Sequence, residues 1–466
     1  MASATRAKVL VIGWDCAPPK EVFDLWRPSM PNLDALMRRG AFGTLRSTDP
    51  PITVPAWSSM LSSQNPGRLG FFGFRNRTVG TYDDRYIATS RAVRTPRVWD
   101  LLSDVGKRCC VLNVPQTYPV APINGVMVSS FLTPSTESQY TYPDGLKPEI
   151  ERVADGYVID CDNFRSPDKR ALLDRIYEMT HKRFAVAKYL LSEQGPWDLF
   201  MMVYMGPDRL HHGFWKYADP QHRKYEPDNP FESSLQDYYR LLDEQLGALC
   251  QMAGPDATVL VVSDHGAKRM EGSFSVNEWL MGEGLLTLKT QPEEPTRFDE
   301  ALVDWEKTAA WAWGGYHCRV FLNVAGREPQ GTIAPGEFES LRDDLIRRLE
   351  AIPDDRGRKM ATRALRPEEI YNGPHVKAAP DLTVYFDDLY WRAGQDIGRG
   401  GLYSQDTEIG PDDCVHDYDG LYVYAPPGEH GGCRVDGRHL MDTAPTILRA
   451  LGQRPTPQME GKAIEL

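Results

Sequence analysis

Thr258-Val259-Leu260-Val261-Val262-Ser263 runs directly into Asp264-His265-Gly266. A short, β-branched apolar run of this kind reads as a strand buried on both faces. It hands a carboxylate and an imidazole to its carboxyl end. Comparable runs occupy residues 8–13, 109–113, 125–129, 198–204 and 420–425. Helical patterns lie between them, at 33–39, 169–191 and 231–252; the last carries Leu235, Leu241, Leu242, Leu246 and Leu249. Strands alternating with helices predict an α/β sandwich with a largely parallel central sheet. In such sheets ligands gather beyond the carboxyl ends of the strands. Asp15, Asp208 and Asp264 each lie just after a strand-like run, so three loops are expected to converge on one edge.

Residues 266–413 break this rhythm with Trp311-Ala312-Trp313-Gly314-Gly315, a turn-rich stretch at 326–331 and a charged helical pattern at 337–350. They read as an inserted cap region that covers the site. Residues 1–265 and 414–466 then form the catalytic core.

Composition narrows the partners. The chain has 466 residues, 41% hydrophobic and 25% charged, with a net charge of -12. That suits a globular protein with a large core. It argues against a nucleic-acid polymer or an anionic membrane as partner. A small phosphorylated substrate stays compatible, because bound metal supplies local positive charge. No apolar stretch reaches about 18 residues, so no membrane span is expected. Met1 to Lys8 lead into the first strand without an apolar signal region, which gives a cytoplasmic expectation. The oligomeric state is not read from the sequence. Eight cysteines lack metal-knuckle spacing, and the adjacent Cys109 and Cys110 suit buried free thiols.

Several residues carry chemistry. Asp208 and His212 are four apart after Pro207, so a helix starting there puts both on one face, with His211 about 100° away. Asp264 and His265 leave one strand in different directions. Asp15 suits a metal ligand or a helix cap. Thr53, in Thr53-Val54-Pro55-Ala56-Trp57, suits a helix cap or a nucleophile, and as a nucleophile it needs a metal or a base to activate it. A late histidine has four candidates, His416, His430, His439 and His317, and spacing does not choose among them. Three carboxylates, three imidazoles and a hydroxyl suffice for a two-metal hydrolytic site.

The combination resembles the alkaline phosphatase superfamily, nearest its type I phosphodiesterase/nucleotide pyrophosphatase branch. Thr53-Val54-Pro55-Ala56-Trp57 corresponds to that branch's Thr-Phe-Pro-Asn-His, and Gly206-Pro207-Asp208-Arg209-Leu210-His211-His212 to its Glu-Pro-Asp-x-x-Gly-His. Ser263-Asp264-His265-Gly266 matches unchanged, and His416 precedes a late strand as the family's last histidine does. The resemblance implies a three-layer α/β/α sandwich and two divalent metal ions, usually zinc, with manganese or iron also suited to the donors. It implies one ion held by Asp15, Thr53, Asp264 and His265, and another by Asp208, His212 and His416. Thr53 becomes the nucleophile of a phospho-threonine mechanism. Two departures stand out: Trp57 replaces the family's His, and the family's phosphate-holding Asn has only Arg75 and Asn76 as nearest substitutes.

The expected function is therefore a metal-dependent phosphohydrolase, a phosphodiesterase or nucleotide pyrophosphatase. Substrate-contact candidates are Arg75, Asn76, Trp57, Tyr316 and Arg327. Alternatives are a phosphomonoesterase, a phosphotransferase or mutase on the same fold, and a metal-binding regulatory protein without turnover.

Overall fold

A computed structural model describes residues 7–407 and 410–466. Met1 to Arg6, on which the expectation about the start of the chain falls, lie outside the described residues. The strand Ala7–Trp14 shows how the layers arise. Successive side chains of a strand point to opposite faces. Leu10 and Ile12 are buried in one apolar layer, and Val9 and Val11 in the other. The first layer is completed by helices Pro31–Arg39, Lys169–Glu193 and Ser234–Ala253. The second is completed by Thr53–Ser62, Val98–Asp104 and Thr443–Ala450. The result is a three-layer α/β/α sandwich.

All six strand-like runs enter one sheet. Thr258–Val262, Ala7–Trp14, Trp197–Tyr204, Cys109–Leu112 and Gly125–Val128 lie side by side and parallel. Asp419–Ala425 joins antiparallel to Thr258–Val262. Beyond it pairs Ala41–Arg46, a strand the sequence did not disclose because Gly43, Thr44 and Arg46 interrupt its apolar pattern. The central order decides the function. The first strand lies between Thr258–Val262 and Trp197–Tyr204, so the residues after all three emerge at one edge.

The segment after Gly266 builds its own apolar cluster, from Phe274 to Ile397. Its antiparallel sheet contains Ala310–Trp313, Cys318–Leu322, Leu382–Tyr385 and Arg363–Leu365. Helix Phe338–Glu350 packs Leu345 and Leu349 into it. A ribbon of Gly266–Arg269 against Cys414–Asp417 closes the segment's ends and sets Ala267 opposite His416. A hairpin of Arg75–Arg77 and Arg85–Ile87 grips it from the other side. There Tyr82 stacks on Trp305 at 3.6 Å and buried Arg77 pairs with Glu328 at 2.9 Å. No helix among the described residues is long and apolar enough to cross a membrane.

Gly13 sits where the strand bearing Asp15 crosses the Trp57 indole. A Cβ there would lie 2.5 Å from Trp57 Cη2 and 2.8 Å from Val203 Cγ2. Gly13→Ala is therefore expected to destabilise the fold by about 1–3 kcal/mol through overpacking. Denaturant unfolding with an unchanged slope checks this, and an unchanged midpoint would refute it.

Candidate functional site

Asp15 ends its strand with its backbone N–H donating to Tyr204 O. Its carboxylate is fully buried; Oδ2 accepts from Trp57 Nε1 at 2.7 Å, and Oδ1 has no partner. Asp264, after the neighbouring strand, accepts from Cys16 N at 3.2 Å through Oδ1, and its Oδ2 has no hydrogen-bond partner. His265 Nε2 lies 3.2 Å from Asp264 Oδ2 and 3.9 Å from Asp15 Oδ1. Thr53 opens a ten-residue helix whose cap position is held by extended Ile52. No cap hydrogen bond uses the Thr53 hydroxyl, and its Oγ1 stands 3.4 Å from His265 Nε2.

Helix Gly206–Ala218 begins with Pro207 in its first turn and presents Asp208 and His212 on one face, Oδ1 to Nε2 at 3.4 Å. His416 completes this second group, its Nε2 lying 3.3 Å from His212 Nε2 and 3.6 Å from Asp208 Oδ1. The rival histidines lie elsewhere. His430 is exposed beside Pro427 O, and His439 caps the turn at Leu440–Asp442. His211 turns away to stack on Tyr239, and burial pushes it down to about 3. The two groups touch: the His265 and His416 rings stack at 3.9 Å, and Asp15, Asp208 and His265 place ligand atoms within 4.8 Å of one another.

The arrangement fits two divalent cations. A histidine ligates well when its other nitrogen is held by an acceptor, which fixes tautomer and ring orientation. All three rings satisfy this: Nδ1 of His416 faces Pro51 O at 2.8 Å, that of His265 faces Gly266 O at 3.2 Å, and that of His212 faces Asp412 Oδ1 at 2.8 Å. Each Nε2 points at the carboxylates. Burial, then the charge of Asp208, raises Asp15 well above the usual carboxylate range; burial, then Asp15, does the same to Asp264. Burial also pushes His265 down to about 4, which leaves it neutral. Arg209 pairs with Asp208 at 2.5 Å and with Asp160 at 2.7 Å, and no salt bridge to Lys or Arg reaches Asp15 or Asp264 among the described residues. Crowded buried carboxylates with orphaned oxygens, beside His265 and His416 that burial holds neutral, are a donor set suited to cationic charge.

The substrate-contact candidates divide. Tyr316 reaches the site: its ring stacks on His416 at 4.3 Å and on His212 at 4.9 Å, and its hydroxyl donates to Asp412 at 3.0 Å. Arg75 is exposed on the hairpin. Trp57 takes a different place from the one expected. It is fully buried beneath Asp15 and orients that carboxylate, because its indole fills the space between helix and strand. Asn76 holds a turn, accepting from Phe72 N at 2.6 Å and donating to Gly73 O at 2.9 Å. Arg327 is committed to Asp381 and Glu328 at 2.7 and 2.8 Å. The sequence reading missed Asp412, which holds His212 and also accepts from Arg165 at 3.0 Å, and the Arg209–Asp160 pair. Asp412 lies 200 residues from His212 in the chain, so no local spacing marks it. Arg209 directly follows Asp208 and was visible as a neighbouring cation.

Comparison with solved structures aligns human ectonucleotide pyrophosphatase/phosphodiesterase 5 over 98% of this chain and 97% of its own, at 13% identity and TM-score 0.56. An inactive variant of the murine protein, in complex with AMP, aligns over 97% and 96% at 13% identity and TM-score 0.53. At this identity the likeness concerns the fold. No curated protein matches the sequence. The family described as type I phosphodiesterase / nucleotide pyrophosphatase matches residues 9–412. With that match spanning most of the sequence and the donor groups in place at the sheet edge, the chain belongs to this family and is a phosphoric ester hydrolase.

Proposed function

We propose that this protein cleaves phosphodiester or pyrophosphate bonds of a small phosphorylated substrate through a phosphorylated Thr53. The observation that carries the reading is the Thr53 hydroxyl, 3.4 Å from His265 Nε2, at the head of a helix and unused by that helix. Asp15, Asp264, His265 and Thr53 would hold one divalent cation, and Asp208, His212 and His416 the other. Zinc suits such imidazole and carboxylate donors, as do manganese and iron. The chemistry such cations supply is Lewis-acid charge that lowers a hydroxyl pKa and neutralises phosphoryl oxygens.

The chain does the rest. Thr53 Oγ1 attacks phosphorus in line, and the bond to the leaving oxygen breaks with its electron pair. The first turn of the Thr53–Ser62 helix directs backbone N–H groups toward the phosphoryl oxygens, where fixed dipoles stabilise developing charge. Water then attacks the phospho-threonine from the vacated side and Thr53 Oγ1 departs. Trp57 keeps Asp15 in one rotamer, and Asp412 does the same for the His212 ring. The AMP bound to the murine neighbour supports a nucleotide-sized ligand. Diesters and pyrophosphates are expected to turn over faster than simple monoesters, read as kcat/KM for paired esters with one leaving group.

Thr53→Ala is expected to lower turnover of bis-p-nitrophenyl phosphate by roughly a thousandfold or more. Metal content by elemental analysis should stay near that of the parent, since six other donors remain. A variant with parental rates removes Thr53 from the mechanism. Asp412→Asn should weaken metal binding about 10- to 100-fold, because the acceptor that orients His212 is altered. Titration against a chromophoric chelator measures it, and unchanged affinity would show that Asp412 does not tune the ligand.

A further inference from the structure

His317 is another histidine outside the candidate metal groups. It is 6% exposed, and neither ring nitrogen has a hydrogen-bond partner. A buried imidazole without a partner costs free energy unless something else meets it. It directly follows Tyr316, which lies over His416 and His212. Two residues on, Arg319 occupies the same side of the strand Cys318–Leu322, while Cys318 and Val320 face the apolar cluster. Arg319 donates to Arg75 O at 2.7 Å across the cleft between this strand and the hairpin, and its Nε has no partner. It makes no ion pair among the described residues. Burial pulls its guanidinium down to about 10, and the nearby cations Arg85 and Arg75 add to that. Of these three arginines only Arg85 has a carboxylate among the described residues, Glu300. Asp49, four residues before Thr53, accepts from the Tyr385 hydroxyl at 2.9 Å. The Tyr385 ring is 6.3 Å from that of His317. A chain of net charge -12 thus places unpaired donors directly after Tyr316, whose ring stacks on two histidines of the candidate site.

We propose that His317 and Arg319, with Arg75 at the rim, form an anion subsite that holds a second, non-scissile anionic group of the substrate. The subsite selects substrates that carry a carboxylate or phosphate in addition to the bond cleaved. Arg319 offers its planar fork to two oxygens, and neutral His317 donates one N–H at the inner end. This inference rests on the reading of Thr53 as nucleophile.

The test compares two diesters with one leaving group on the metal-loaded protein: methyl p-nitrophenyl phosphate and 2-carboxyethyl p-nitrophenyl phosphate. A third, 2-phosphoethyl p-nitrophenyl phosphate, tells carboxylate from phosphate preference. The esters with a second anionic group should show the lower KM, and Arg319→Gln should raise it roughly 10- to 100-fold while leaving the methyl ester's kcat/KM unchanged. His317→Asn should act in the same direction, and Arg319→Lys, which keeps the charge, should restore part of the loss. Equal KM for the methyl ester and the esters with a second anionic group overturns the subsite in the parent, as does an Arg319→Gln variant, folded by circular dichroism, that loses both substrates equally. Should no ester turn over, the hydrolytic reading falls separately. Calorimetric binding of inorganic pyrophosphate to the parent and to folded Arg319→Gln then decides the subsite, and an unchanged Kd overturns it.

Discussion

Three buried carboxylates gathered at one sheet edge are the constraint on which the rest of this structure depends. Asp15, Asp208 and Asp264 are essentially buried, and isolated buried charge is among the costliest things a fold can contain. Each carboxylate is held by a different device: an indole N–H for Asp15, a guanidinium for Asp208, a backbone amide for Asp264. None of these devices saturates its carboxylate pair. The surplus acceptor capacity, together with the burial that holds His265 and His416 neutral, is what makes the edge a candidate cation site.

The same edge explains why the parallel sheet matters. Adjacent parallel strands deliver their carboxyl ends to one place, so ligands drawn from residues 15, 208 and 264 need no long side chains to meet. The antiparallel ribbon beyond Gly266 then folds His416 back over His265. The histidine chosen from four candidates is the one whose strand pairs with the exit from Asp264. His416 Nδ1 also binds Pro51 O, two residues before Thr53, so ligand and hydroxyl share one support.

Much of this was legible from residue types alone. Continuous β-branched runs mark strands buried on two faces, and all six lie in the sheet, because such runs have no polar face to expose. Asp208 and His212 were legible because helical spacing is local. Ala41–Arg46 was not, since it alternates where it edges toward solvent. Asp412 was hidden because its partner is set by tertiary packing. Trp57 misled for the same reason: an aromatic beside a candidate nucleophile carries no mark of the side it faces. Asn76 and Arg327 look like free polar groups in sequence and are consumed by a turn and an ion-pair network in space.

The span of the donor set has a consequence for how the protein is made. The group of Asp208, His212 and His416 is complete only once residue 416 has joined the ribbon, nearly nine-tenths of the way along the chain. A nascent or truncated polypeptide holds the carboxylates before it holds the last imidazole. A cation held by that second group would therefore be captured late in biogenesis, while the group of Asp15, Asp264 and His265 is complete by residue 265. Binding to the native state draws the folding equilibrium toward it, so a cation in the second group would favour chains in which the ribbon has closed.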